Sequence, residues 1–108
     1  MKYLILIYSN PATRKLWEQF SDADQARGLQ VYHELTKELA ESGELLATES
    51  LDDPALTTNV RVEGGATLTS DGPFAEAKEL LAGFYLVDCA SRERATQIAA
   101  RVPEAAFG

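Results

Sequence analysis

One amphipathic segment constrains this chain more than any other. Between Ser21 and Gly43, the residues Leu29, Tyr32, Leu35, Thr36, Leu39 and Ala40 recur at three- and four-residue steps. That spacing puts them on one face of a helix over roughly Asp22 to Ser42. Ser21 followed three residues later by Asp24 is a short-armed capping box, and Gly43 is the residue type that ends a helix in the left-handed conformation. A helix this long spans about 30 Å and must lay its apolar stripe on a partner surface. The partner is supplied by two apolar runs rich in β-branched and aromatic residues, Tyr3 to Tyr8 and residues 80–89. The first, closed by Ser9-Asn10-Pro11, reads as a central strand buried on both faces.

The remaining segments fill in an alternating pattern. Asn10-Pro11 caps and begins a short helical turn carrying Leu16, Trp17 and Phe20. Glu44 to Leu51 reads as a strand, broken by Asp52-Asp53-Pro54. Thr57 to Val62 and Ala66 to Ser70 flank Glu63-Gly64-Gly65, and a Gly-Gly pair provides the positive φ angles of a tight hairpin. Ser91 caps a last helix with Ala95, Ile98, Ala99 and Val102 on its apolar face, stopped by Pro103. The order is strand, helix, strand, hairpin, strand, helix. It fits an α+β, ferredoxin-like sandwich with an antiparallel sheet and both long helices on one face, as one domain over residues 1–108 that lacks its last strand. The uncovered edge left by that strand would invite aggregation or a partner.

Charge and composition narrow the partners. The net charge is -7, from 17 acidic and 10 basic residues, with no dense Lys/Arg stripe. Nucleic acid and anionic membranes both require clustered cations, so neither is expected as a partner. One cysteine, Cys89, rules out an internal disulfide and a multi-cysteine metal cage, and with one histidine no metal or other cofactor is expected. The apolar run at Tyr3 to Tyr8 is too short to span a membrane and has no cleavage pattern behind it, which points to a reducing cytoplasm. At 108 residues, pairing with a second copy is a ready way to bury more surface.

The opening MKYLILIY, the helix end Glu38-Leu39-Ala40-Glu41-Ser42-Gly43, the run Asp71-Gly72-Pro73-Phe74-Ala75-Glu76-Ala77-Lys78-Glu79 and the following Leu81-Ala82-Gly83-Phe84-Tyr85-Leu86-Val87-Asp88 together resemble the YCII-related superfamily. Within it they are similar to the DGPF branch, whose DGPFAETKE signature differs here at Ala77 alone. The resemblance implies a small ferredoxin-like domain that pairs into a dimeric α/β barrel, with a cleft between sheet and helices. It also implies a last strand beyond Phe107-Gly108 and an association with extracytoplasmic-function sigma factors. Enzymes of the wider group resemble one another in a His on the first long helix and an Asp after the last. The matching positions here are Tyr32 and Val102, so that acid–base pair is not carried over.

Several side chains are candidates for chemistry. Asp71, beside Gly72-Pro73 at a strand end, can act as an acid or base at a cleft mouth, although Asp before Gly commonly caps its own turn. His33 is the only group with an ordinary pKa near neutrality. It lies about 100° around the helix from Tyr32, which favours an exposed or rim position. Tyr8, Tyr32 and Tyr85 can line a cleft for a small polar ligand, or serve as core aromatics with hydroxyls satisfied elsewhere. Lys78, with Glu76 and Glu79, can form a charged rim that meets an anionic ligand or a solvated face of weak ion pairs. Pro73 and Phe74 read as the lock and anchor of the loop, and Cys89 as a packed, inert thiol.

Two functions from different classes fit these residues. The first is a homodimeric interaction or small-ligand-binding module tied to sigma-factor regulation. The second is a cofactor-independent lyase or isomerase acting on a polar aromatic or lactone substrate, with Asp71 as acid or base alongside His33 or a tyrosine.

Overall fold

Three apolar runs of the chain pair into one antiparallel sheet in the computed structural model, which describes residues 1–73 and 78–106. Strand β1 (Lys2–Ser9) and strand β2 (Leu45–Ser50) flank strand β5 (Leu80–Asp88), giving the order β1-β5-β2. Helices α1 (Pro11–Glu18) and α2 (Asp22–Ser42) connect β1 to β2, and α3 (Arg92–Ala100) follows β5. Strands β3 (Thr58–Glu63) and β4 (Ala66–Asp71) form a separate two-stranded sheet. A short 3-10 turn at Pro54–Leu56 precedes β3, and another at Pro103–Ala106 follows α3. The fold is mixed α+β with antiparallel sheets and three α-helices among the described residues. Its thinnest dimension is 19 Å, the depth of a sheet carrying a single helix layer.

Local sequence explains the element ends. Asn10 Oδ1 accepts from the Thr13 N–H at 2.8 Å, Ser21 Oγ from Asp24 at 3.1 Å and Ser91 Oγ from Arg94 at 3.2 Å, so each helix starts on the residue that satisfies an otherwise orphaned donor. Gly43 ends α2 at φ 79°, and its neighbour's N–H, on Glu44, returns to the Leu39 carbonyl at 3.0 Å. The β3–β4 turn uses Gly64 and Gly65 at φ 56° and 81°, as the hairpin reading requires.

The core lies between the sheet and one helix layer. Ile7, Tyr85 and Val87 from the sheet meet Leu35 and Leu39 of α2, Ala95 and Ile98 of α3, and the flanking Cys89 and Val102. Two expectations need correcting. β1 is not a doubly buried central strand: β5 holds the centre, and β1 pairs with it along one edge only. Because successive side chains alternate across a strand, Ile7 enters the core while Leu4, Leu6 and Tyr8 stand exposed on the face away from the helices. The α2 stripe is also only partly buried. Leu35 and Leu39 are sealed, whereas Leu29 is 60% exposed and Ala40 is exposed. The second half of α2 is bolted to the sheet, and its first half overhangs it.

One ion pair ties the start of β2 to α3. Arg94 donates from Nε and Nη2 to the two oxygens of Glu44 at 3.0 and 2.8 Å, and Ser42 Oγ donates to the same carboxylate at 2.9 Å. These hydrogen bonds, Arg94 foremost, lower the Glu44 pKa from 4.5 to about 2. A depressed carboxyl contributes stability that is complete above its unfolded value and lost as pH falls through its folded value. Glu44→Gln is therefore expected to lower the melting temperature at pH 7. Its gap to the parent chain should close as pH drops from 4.5 to about 2. Melting curves across that range check this; a gap independent of pH would contradict it.

Candidate functional site

The overhang of α2 opens a cleft of about 440 Å³ over the inner face of the sheet. Gly28, Leu29, Tyr32 and Thr36 form its roof, and Ile7, Thr48, Ser50, Gly83 and Tyr85 form its floor. Small side chains in the floor account for the space: the second half of α2 presses Leu35 and Leu39 on the sheet, whereas the first half has Ser50 and Gly83 beneath it. The ladder also shifts register here. Ile7 pairs with Gly83 and Tyr8 with Leu81, which leaves Ala82 as the extra residue of a bulge, and Ala82 lines the cleft.

Trp17 of α1 closes one side. A Cβ on Gly28 would lie 2.8 Å from Trp17 Cζ3, so the indole rests directly on the α2 backbone. Gln25 Nε2 donates to the Trp17 carbonyl at 2.9 Å and holds α1 in place. Beyond Trp17 lies a smaller hollow of about 260 Å³ that shares Trp17, Ala82 and Glu104 with the cleft. The floor hydroxyls are partly committed: Tyr85 and Thr36 share a hydrogen bond of 2.9 Å, and Thr48 donates to the Phe84 carbonyl at 2.9 Å.

Glu104 is the cleft's anomalous group. It enters from the turn Pro103–Ala106, which follows the end of α3 at Ala100 and brings Pro103 and Glu104 to the cleft. Its Oε2 is shut off from solvent and meets no hydrogen-bond partner among the described residues. Burial pushes the Glu104 carboxyl above its ordinary range, and a bond from its own backbone N–H offsets only part of that. A buried polar atom without a partner carries a desolvation cost of about 1–3 kcal/mol, and such atoms in folded proteins call for an explanation.

The residues singled out in the sequence divide between separate places. Tyr32 and Tyr85 both line the cleft, Tyr32 half-buried and Tyr85 sealed. His33 is exposed on α2 and is not part of the lining. Tyr8 faces out from the opposite side of the sheet. Asp71 is the exposed last residue of β4, paired with Thr58, and Lys78 is exposed before β5. The loop between them is pinned at its start, where Gly72 N–H donates to Thr57 and Asn59 Nδ2 to the Gly72 carbonyl, each at 2.6 Å. Phe74 and Glu76 lie outside the described residues. Trp17, Gly28, Thr36, Thr48 and Glu104 escaped the sequence reading. A carboxylate directly behind Pro103, and a lone Trp on a short helix followed by a helix that carries a Gly in its first half, were the available signals.

A model of the YCII-related domain matches residues 1–108. The chain belongs to the YCII-related domain family. It is also similar to an uncharacterised protein of Rhizobium meliloti (strain 1021), 34% identical over 99 residues, a match covering 92% of this chain and 77% of the relative. Of the two positions that the resemblance sets against an acid–base pair, Tyr32 lines the cleft and Val102 is buried in the core, while Glu104, two residues beyond Val102, lines the cleft.

Proposed function

We propose that this YCII-related domain is a small-ligand-binding module whose site is the cleft between the first half of α2 and the sheet. One observation carries the reading: Glu104 lines the cleft beside Trp17, Tyr32 and Tyr85, and its Oε2 has no hydrogen-bond partner among the described residues. A concave space with aromatic walls and few placed polar groups is the usual form of a small-molecule site. In this reading the fold is a ferredoxin-like sandwich of the DGPF branch, and a second copy covers Leu4, Leu6, Tyr8 and Leu81 to make a dimeric barrel. Those residues are exposed on the helix-free face, and contiguous apolar surface of that kind marks an interaction site.

An acid–base enzyme is the second reading, favoured by the raised proton affinity of Glu104 in the same cleft as two tyrosines. Glu104 then takes the part first sought at Asp71.

Amide chemical shifts recorded against a fragment library separate these sites. Saturable shifts are expected at Trp17, Tyr32, Thr48, Tyr85 and Glu104. Shifts confined to Asp71 and Lys78 would overturn the cleft as the site, and sedimentation showing only an 11.8 kDa species at micromolar concentration would remove the dimer.

A further inference from the structure

The cleft carries charge of one sign. Glu104 lines it and no Lys or Arg does so among the described residues; Glu49, between Thr48 and Ser50 on β2, reaches it through its backbone and sends its carboxylate to the opposite face. The nearest cation in the adjoining hollow, Arg14, stands 3.9 Å from Asp53 and shares that hollow with Glu18. The remaining walls are the aromatic side chains of Trp17 and Tyr32, with Tyr85 sealed in the floor and the hydroxyls of Thr36, Thr48 and Ser50 between them. The whole chain carries a net charge of -7, which raises the local concentration of cations and lowers that of anions.

From this arrangement we infer that the cleft selects a small organic cation, a primary or substituted ammonium on an apolar body, whose charge pairs with Glu104 and lies against the aromatic walls. The inference rests on the cleft being a ligand site and adds the charge of the ligand. Three ligand types compete. An anion meets the Glu104 carboxylate and no counter-charge among the described lining residues. A neutral molecule gives the Glu104 carboxylate a hydrogen bond but no opposite charge, whereas a cation gives the hydrogen bond and adds short-range attraction between opposite charges in a partly desolvated site. A cation also gains from the ring faces, which attract positive charge. Glu104 is the decisive partner because it is the one charged side chain lining the cleft among the described residues, and its carboxylate lacks a partner at Oε2. Thr36 and Tyr85 already bond each other, and Thr48 is bonded to backbone.

Trp17 is the only tryptophan and lines the cleft, so its fluorescence reports occupancy. Phenethylammonium, 2-phenylethanol and phenylacetate share one body and differ in charge, and each is titrated at pH 7 into the full chain and into Glu104→Gln. Phenethylammonium is expected to bind at least about tenfold more tightly than the alcohol, with no saturable response to phenylacetate. In Glu104→Gln its affinity should fall to that of the alcohol, while alcohol binding persists and shows that the cleft is still formed. Equal or tighter binding of the alcohol or the carboxylate overturns the cation assignment and leaves the cleft standing as a ligand site. A preference for the ammonium that survives Glu104→Gln overturns the role of Glu104. No saturable Trp17 response to any of the three at millimolar concentration overturns both the assignment and the ligand site beneath it.

Discussion

Leu35→Ala is expected to destabilise the fold by about 3 kcal/mol, within the roughly 2–5 kcal/mol seen when a sealed leucine is truncated. Leu35 is fully buried at the point where α2 first touches the sheet, against Tyr85 and Ile7 of the core. The backbone on either side cannot collapse to fill the space, because Leu39 below it and the Tyr85–Thr36 bond above it fix the distance from helix to sheet. For a domain whose total stability is of order 5–15 kcal/mol, that is a large fraction. The informative control is Leu29→Ala on the same helical stripe. Leu29 is 60% exposed, so its truncation should stay within about 0.5 kcal/mol. Urea unfolding midpoints for the two variants measure the contrast. Equal losses would mean that the first half of α2 is packed down like the second, and the cleft would be closed.

That contrast marks the limit of what sequence could say about the helix. Periodicity identifies which residues share a face, and it placed Leu29, Tyr32, Leu35 and Leu39 together correctly. It does not say how far along the helix the opposing surface continues. Here the surface recedes because Ser50 and Gly83 sit opposite the first half of α2, and those residues are brought there by strand pairing across more than thirty positions of chain. The caps at Asn10, Ser21 and Ser91 were legible because each is a local exchange between a side chain and a backbone donor three residues on. The edge position of β1 was not, since an apolar run looks alike whether its second face meets a helix layer or is left uncovered. Glu104 was invisible for a similar reason: one glutamate among many differs from the rest only in where Pro103 sends the chain.

Gly83→Ala tests the floor of the cleft, a place that the sequence itself marks. A glycine inside an otherwise bulky strand marks a close approach of another backbone. Gly83 is buried, pairs with Ile7 on one side and Ser50 on the other, and a Cβ there would lie 2.7 Å from the Glu49 carbonyl oxygen. The obstacle is backbone rather than a flexible side chain, so β2 and β5 must separate to admit the methyl group. Overpacking of this kind costs about 1–3 kcal/mol. The β propensity gained by replacing glycine is at most about 1 kcal/mol, so the clash prevails. The substitution should lower the urea midpoint and slow or abolish binding in the cleft, because Ser50 and Thr48 move with β2. Gly28→Ala separates wall from floor. The added methyl meets the ring of Trp17 instead of backbone, and helix propensity favours alanine by about 1 kcal/mol. Its stability should therefore change less than that of Gly83→Ala while the Trp17 emission shifts. If Gly83→Ala proves neutral and Gly28→Ala severe, the sheet beneath the cleft is the yielding element and α1 the rigid one, the reverse of the arrangement on which the site depends.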